Sequence, residues 1–240
     1  MNAMVCQCLH GGVLPDGVRR ELLAALDTIS VRWTVVPDLC GAAARREPWL
    51  GRWFGGGDEP RVILACHPRA VRWLLRWAGM PAEAVAAARV FDLREEPVAD
   101  AVCALRGLAG EGPALARTDV PDEPGWIPWF PVMDRDRCTH CHQCRNFCPF
   151  GVYGTGEDGR VEVQNPSHCK TNCPACARLC PQLAIIFPKH NQGPIDGAAV
   201  TEADMAQRRE AQLEKRLKKE DIHSILARRR GAAATRKEPA

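Results

Sequence analysis

Eight cysteines between residues 138 and 180 fall into two runs of four, and each run closes with Cys-Pro. The first is Cys138-x2-Cys141-x2-Cys144-x3-Cys148-Pro149, and the second is Cys169-x3-Cys173-x2-Cys176-x3-Cys180-Pro181. Two-residue gaps carry consecutive side chains round one tight loop. A three-residue gap is about one helical turn and turns the fourth thiol away from the first three. Proline then blocks a regular continuation, because it lacks a backbone donor. Soft iron–sulfur groups take thiolate ligands, and a cubane offers four iron corners, three for one loop and one for a thiol from the other run.

On this spacing Cys138, Cys141, Cys144 and Cys180 hold one cluster, and Cys148, Cys169, Cys173 and Cys176 hold the other. Zinc uses paired Cys-x2-Cys sites and needs neither the third thiolate nor the proline. Disulfides belong to secreted chains, and nothing marks this one as secreted. His140, His142 and His168 are interleaved with the runs and read as loop lining, since eight thiolates already complete two cubes. Residues 134–188 resemble bacterial ferredoxins with two [4Fe-4S] clusters, which implies an α+β ferredoxin-like fold that moves single electrons. The second run departs from that pattern by one extra residue between Cys169 and Cys173. The cluster loop there is expected to differ, with binding kept.

Residues 1–112 alternate short apolar runs (5–9, 31–36, 61–65 and 89–93) with helical patterns over 18–27 and 70–78. That alternation predicts an α/β domain, a small parallel sheet of Rossmann-like or flavodoxin-like type covered by helices. Its cysteines fall at strand ends: Cys6 and Cys8 after the first, Cys40 after the second, Cys66 after the third. Loops at the carboxyl ends of parallel strands converge on one crevice, so the four thiols are expected to meet there. A cluster, a zinc ion, a redox dithiol at Cys6/Cys8, or four simply buried thiols all remain open. Cys6-Gln7-Cys8, Asp38-Leu39-Cys40 and Ala65-Cys66-His67-Pro68-Arg69 resemble the N-terminal domain of the flavin-bearing subunit of heterodisulfide reductase. The resemblance implies a third iron–sulfur cluster on Cys6, Cys8, Cys40 and Cys66. The chain lacks the flavin part of that subunit, for no Gly-x-Gly-x-x-Gly follows Glu111. His10 and His67 flank these positions and are read as core or loop residues. Cys103 has no partner spacing and reads as a small core residue.

Residues 113–133 have a linker's composition, with four prolines between Pro121 and Pro131. Trp126, Ile127, Trp129 and Phe130 are too apolar for water, so the segment is expected to pack on the ferredoxin part, residues 134–198. Within that part, 151–165 reads as a β-hairpin with a glycine turn, and 183–187 mirrors 150–153, giving a pseudo-repeat. Residues 199–240 form a basic helical tail with a disordered end. From Thr201 the chain carries eleven Lys/Arg against seven Asp/Glu, so the tail supplies +4 of a net +3 and the rest is near neutral. Leu213, Leu217, Ile222, Ile225 and Leu226 give the tail a thin apolar stripe. Arg228, Arg229, Arg230, Arg236 and Lys237 read as a solvated run, and nucleic acid is not an expected partner.

The expectation is an electron-transfer protein or subunit with two [4Fe-4S] clusters and a candidate third. It would serve a redox partner, an oxidoreductase subunit docking near the clusters or on the C-terminal helix. The alternative is a catalytic subunit of a heterodisulfide-reductase-like complex, working at the Cys6/Cys8/Cys40/Cys66 crevice. No apolar run approaches the roughly 18 residues that span a bilayer, and residues 1–5 lack a signal peptide's basic start. A cytoplasmic location is therefore expected.

Overall fold

The computed structural model describes residues 1–57, 59–123, 125–214 and 217–218. Its first half runs β1 (Asn2–Cys6), α1 (Asp16–Leu26), β2 (Arg32–Val36), α2 (Leu39–Ala44), α3 (Pro48–Gly55), β3 (Arg61–Ala65), α4 (Pro68–Trp77), α5 (Ala82–Ala87), β4 (Arg89–Asp92), α6 (Val98–Ala109) and β5 (Ala116–Asp119). The strands form one parallel sheet in the order β4-β3-β1-β2-β5. Central β1 is apolar on both faces, with Ala3, Met4 and Val5 fully buried, as a strand covered by helices on both sides requires. The chain passes from β1 to β2 on one side and returns to β3 on the other, so the strand order reverses between β1 and β3. Helix starts follow local chemistry: proline opens α3 and α4, and Asp38 caps α2 by accepting the Gly41 N–H at 2.9 Å.

Two elements differ from what the sequence suggests. The apolar run over 5–9 implies a strand, yet β1 ends at Cys6, because Cys8 takes a left-handed φ of 50° and Leu9 turns out to solvent. Residues 116–119, expected in the linker, form the fifth strand of the sheet. Its side chains are all exposed, so only the backbone ladder to β2 places it there.

The second half comprises β6 (Val132–Met133), α7 (Gln143–Phe147), β7 (Tyr153–Thr155), β8 (Val161–Val163), α8 (Ala175–Leu179) and β9 (Ile185–Ile186). β7 and β8 form the expected antiparallel hairpin, and β6 pairs antiparallel with β9. This is the ferredoxin-like part. Consecutive residues of the connecting segment enter different cores: Phe130 joins the sheet's core, while Trp129 joins the core under the cysteine runs. Adjacent side chains leaving the backbone to opposite sides let this short stretch fasten both halves. Ile127 stays exposed and Trp126 half-buried, stacked on Phe130 at 5.9 Å.

Buried polar contacts complete the seam. Arg69 on α4 donates to Asp134 Oδ2 (2.7 Å), the Leu183 carbonyl (2.6 Å) and the Pro194 carbonyl (3.1 Å). Arg94 donates to the His190 carbonyl at 2.9 Å and pairs with Asp196 at 3.3 Å. Gly197 passes so close to α4 that a Cβ there would lie 2.4 Å from that of Ala70, at a φ of +106° that only glycine adopts freely. Met1–Ala199 consequently form one compact unit.

The remaining unit begins at Val200 and carries a helix over 202–214. Thr201 caps it by accepting the Asp204 N–H, while Asp204 accepts the Thr201 N–H at 2.8 Å. Leu213 and Leu217 are exposed. The expected continuation of the helix, Ile222, Ile225, Leu226, the basic residues Arg228, Arg229, Arg230, Arg236 and Lys237, and the disordered end lie outside the described residues. No helix among the described residues is long and apolar enough to cross a membrane.

Candidate metal centres

The two runs fold as their spacing dictates. α7 carries Cys144 and α8 carries Cys176. The three-residue gap before each Cys-Pro is one closed turn, Cys148 N–H to the Cys144 carbonyl (3.1 Å) and Cys180 N–H to the Cys176 carbonyl (3.0 Å). Cys138, Cys141, Cys144 and Cys180 line one cavity. Cys148, Cys169, Cys173 and Cys176 line a second, walled by Phe147, Phe150 and Tyr153. Each cavity therefore draws three thiols from one run and its last from the other.

The loops between the thiols bend through left-handed residues, His140 at φ 53° and His142 at φ 58°. Such a residue between right-handed ones gathers backbone N–H groups into a concavity that suits anionic sulfur. The extra residue of the second run is absorbed the same way. Asn172 sits at φ 61° and the Cys173 N–H closes a turn onto the Lys170 carbonyl at 3.1 Å. Donors also point at the sulfurs: the Tyr153 hydroxyl at Cys176 Sγ (3.1 Å) and the Ala184 N–H at Cys180 Sγ (3.4 Å). Burial pushes the Cys144, Cys169 and Cys176 thiols up to about 12. Thiolates in these cavities thus call for a positive metal group facing them.

The first half gathers its thiols by topology. Cys6 ends β1 and Cys8 follows it, Cys40 lies in the first turn of α2, and Cys66 follows β3. They sit at the β1/β3 reversal, the position ligands favour in open parallel sheets. Cys6, Cys8 and Cys40 are buried, and Cys66 is half-buried. The Cys6 thiol hydrogen-bonds Cys8, and this contact, opposed by burial and aided by Lys189, draws Cys8 down to about 7 while Cys6 rises well above the ordinary range. Cys6 Sγ also accepts the Leu39 N–H at 3.3 Å. Burial pushes Cys66 up to about 12 and raises Cys40 strongly.

One charged residue of this site escaped the sequence reading. Lys189, just beyond β9, inserts its ammonium among these thiols, 3.9 Å from Cys8 Sγ and paired with buried Asp38. Burial opposes the charge on Lys189, yet Cys40, Cys8 and Asp38 together hold its pKa above the ordinary lysine value. A contact spanning 181 positions leaves no local signal; only the unusual apolar frame, Ile185-Ile186-Phe187-Pro188, marks Lys189 as headed inward. His67 is buried as expected and is no ligand, since its Nδ1 meets Asp92 at 2.7 Å and its Nε2 meets Asp196 at 3.3 Å. Burial pulls the His67 pKa down, but those two carboxylates raise it to about 9. His10 pairs with Asp122 at 2.7 Å near the surface. Cys103 corrects the reading of a core residue: it is exposed on the outer face of α6.

Among the described residues, no three His, Cys, Asp or Glu side chains close around a single metal ion. Each thiol set of the second half instead lines a cavity. That suits a polynuclear group with one corner per sulfur better than an ion ligated at about 2.3 Å. The sets of the second half fit two cubane clusters in number, softness and crossed membership, and the four thiols of the first half match such a group in number and softness.

Comparison with known proteins agrees with the second half. Residues 130–181 match the model of the 4Fe-4S dicluster domain. Over 63 residues the chain is 48% identical to an uncharacterized ferredoxin of Methanocaldococcus jannaschii, covering 26% of this chain and 42% of that protein. It thus spans less than half the length of that relative. The pyruvate synthase subunit PorD of the same organism is 33% identical over 60 residues, 25% of this chain and 67% of the PorD chain. A second uncharacterized ferredoxin from that source is 33% identical over 58 residues, 23% of this chain and 74% of its own length.

Proposed function

Because the chain belongs to the ferredoxins with a 4Fe-4S dicluster domain, we propose that it passes single electrons to a partner oxidoreductase, with a third centre in its sheet half. Cys138, Cys141, Cys144 and Cys180 hold one cluster, and Cys148, Cys169, Cys173 and Cys176 hold the second. Cys6, Cys8, Cys40 and Cys66 hold the third. Bound there, each cluster supplies a one-electron couple. The protein's own part is to hold the thiolates, to aim donors at their sulfurs and to keep water out. The observation that carries the reading is the crossed membership of the two cavities, which only a pair of neighbouring four-cornered groups would require.

The exposed rings of Phe147 and Phe150 beside the second cavity are the surface on which a redox partner would dock. The likeness to PorD, named as a pyruvate synthase subunit, supports a place within an oxidoreductase complex. A reducing cytoplasm suits a chain whose cysteines are all free thiols until metal binds.

Iron and acid-labile sulfide per chain after anaerobic preparation test the proposal. About twelve irons are expected, falling to about eight in Cys40→Ser, with an electron paramagnetic resonance signal on reduction. A colourless chain without a reducible spectrum overturns it. About eight irons in both proteins removes the third centre. The hydrogen-bonded Cys6–Cys8 pair would then favour a second reading, dithiol chemistry in a heterodisulfide-reductase-like complex, which unchanged turnover in Cys8→Ser would exclude.

A further inference from the structure

The N-terminal thiols have a charged neighbour that the sheet does not supply. Lys189 belongs to the loop after β9, in the other half of the molecule, yet its side chain is 3% exposed and reaches the crevice at the strand ends. Its ammonium lies 3.9 Å from Cys8 Sγ and pairs with Asp38, itself buried. Asp38 in turn accepts the Gly41 N–H at 2.9 Å, so it is fixed at the start of the helix that carries Cys40. At Gly11 a Cβ would come within 3.1 Å of Lys189 Cγ and 3.2 Å of Cys8 Sγ, so the loop is closed tightly over both.

Anchoring does not explain this pair. Arg94 already holds the loop through the carbonyls of His190 and Pro188, at 2.9 and 3.5 Å, and β9 is laddered to β6. A buried ion pair repays its desolvation poorly, and a hydrophobic pair of similar volume usually serves stability as well. Its position among four thiols suggests an electrostatic task. We propose that Lys189 and Asp38 are opposed charges that set the reduction potential of the N-terminal centre, Lys189 raising it and Asp38 lowering it. This rests on the reading that those thiols hold a cluster.

Reduction adds one negative charge to the group held by Cys6, Cys8, Cys40 and Cys66. A fixed cation a few ångströms away stabilises the reduced state, and a fixed anion opposes it. The interaction is strong because little water reaches these side chains. Lys189 has the larger effect, since its ammonium touches a ligand sulfur while Asp38 shares its charge with a backbone donor. The half with the two cluster cavities thereby tunes the centre of the sheet half, and it does so through one side chain.

The test is a mediated redox titration of the full chain, poised with dithionite as electron donor and followed by electron paramagnetic resonance. Iron is counted on each sample. Lys189→Met is expected to lower the midpoint of the N-terminal centre by at least tenfold in its reduction equilibrium, about 59 mV for one electron. Asp38→Asn raises it by less, Lys189→Arg leaves it near the starting value, and the other two centres do not move. If Lys189→Met fails to fold because Asp38 is left unpaired, the upward shift in Asp38→Asn and the value in the double variant, between the two single ones, decide the matter. A twelve-iron protein whose N-terminal midpoint ignores both substitutions overturns this inference alone. A starting protein with about eight irons overturns the reading beneath it.

Discussion

The two halves of the molecule gather thiols by different means. In the second half each set is assembled mostly by a loop and one helical turn, close to the surface, with Cys141 exposed. In the first half, four thiols come from three strand ends and meet only when β1 is in register with β2 and β3. The first arrangement is written in spacing and the second in topology. A spaced set needs little from its surroundings beyond the metal. A topological set needs the sheet first, so its thiols are already buried and placed when metal arrives.

That contrast can be broken experimentally. Its largest consequence concerns metal removal. Stripping iron with a chelator should let the amides of β7, β8 and α8 exchange at free-peptide rates, while β1 and β3 stay protected. Equal loss in both halves would show that one core cannot stand without the other. Next in size is Arg69→Met, which takes from buried Asp134 the guanidinium it pairs with at 2.7 Å. It should cost about 3–5 kcal/mol, read from the denaturant midpoint at unchanged slope. Phe130→Ala empties a place in the sheet's core and should cost about 3 kcal/mol, lowering the protection of β1 and β3 before that of β7. A smaller effect is expected at Asn172, whose left-handed backbone alanine tolerates poorly. Asn172→Ala should cost about 1 kcal/mol and speed chelation of the second cluster, whereas Asn172→Gly should not. Ile127→Ser, at an exposed position of the same connecting segment, should change stability by less than about 0.5 kcal/mol.

The legible parts of the chain are those with local periodicity or spacing. Arg61–Ala65 reads as a buried strand because Val62, Ile63 and Leu64 form an unbroken apolar run. The turns before Pro149 and Pro181 are legible because a three-residue gap is about one helical turn and proline then stops the helix. The edge strand Ala116–Asp119 is hidden, since its Arg, Thr and Asp side chains face water, as protected sheet edges often do. The short helix Pro48–Gly55 lacks a long enough repeat to stand out. Cys103 misleads because an apolar helix stretch suggests burial all round, whereas α6 buries only Val98, Ala101, Val102 and Leu105. In the N-terminal site the thiols can be anticipated from strand ends, but the contact of Lys189 with them cannot, because nothing near it in sequence names its destination.

The adjacency of Trp129 and Phe130 has a consequence for how this chain tolerates length change. Their opposite orientations depend on parity. An insertion of one residue between them, or of any odd number, would send both rings into the same core and leave the other empty. An even number would restore the alternation and only lengthen the strap. The connection between the halves therefore resists change by single steps, although its proline-rich composition suggests a segment free to vary.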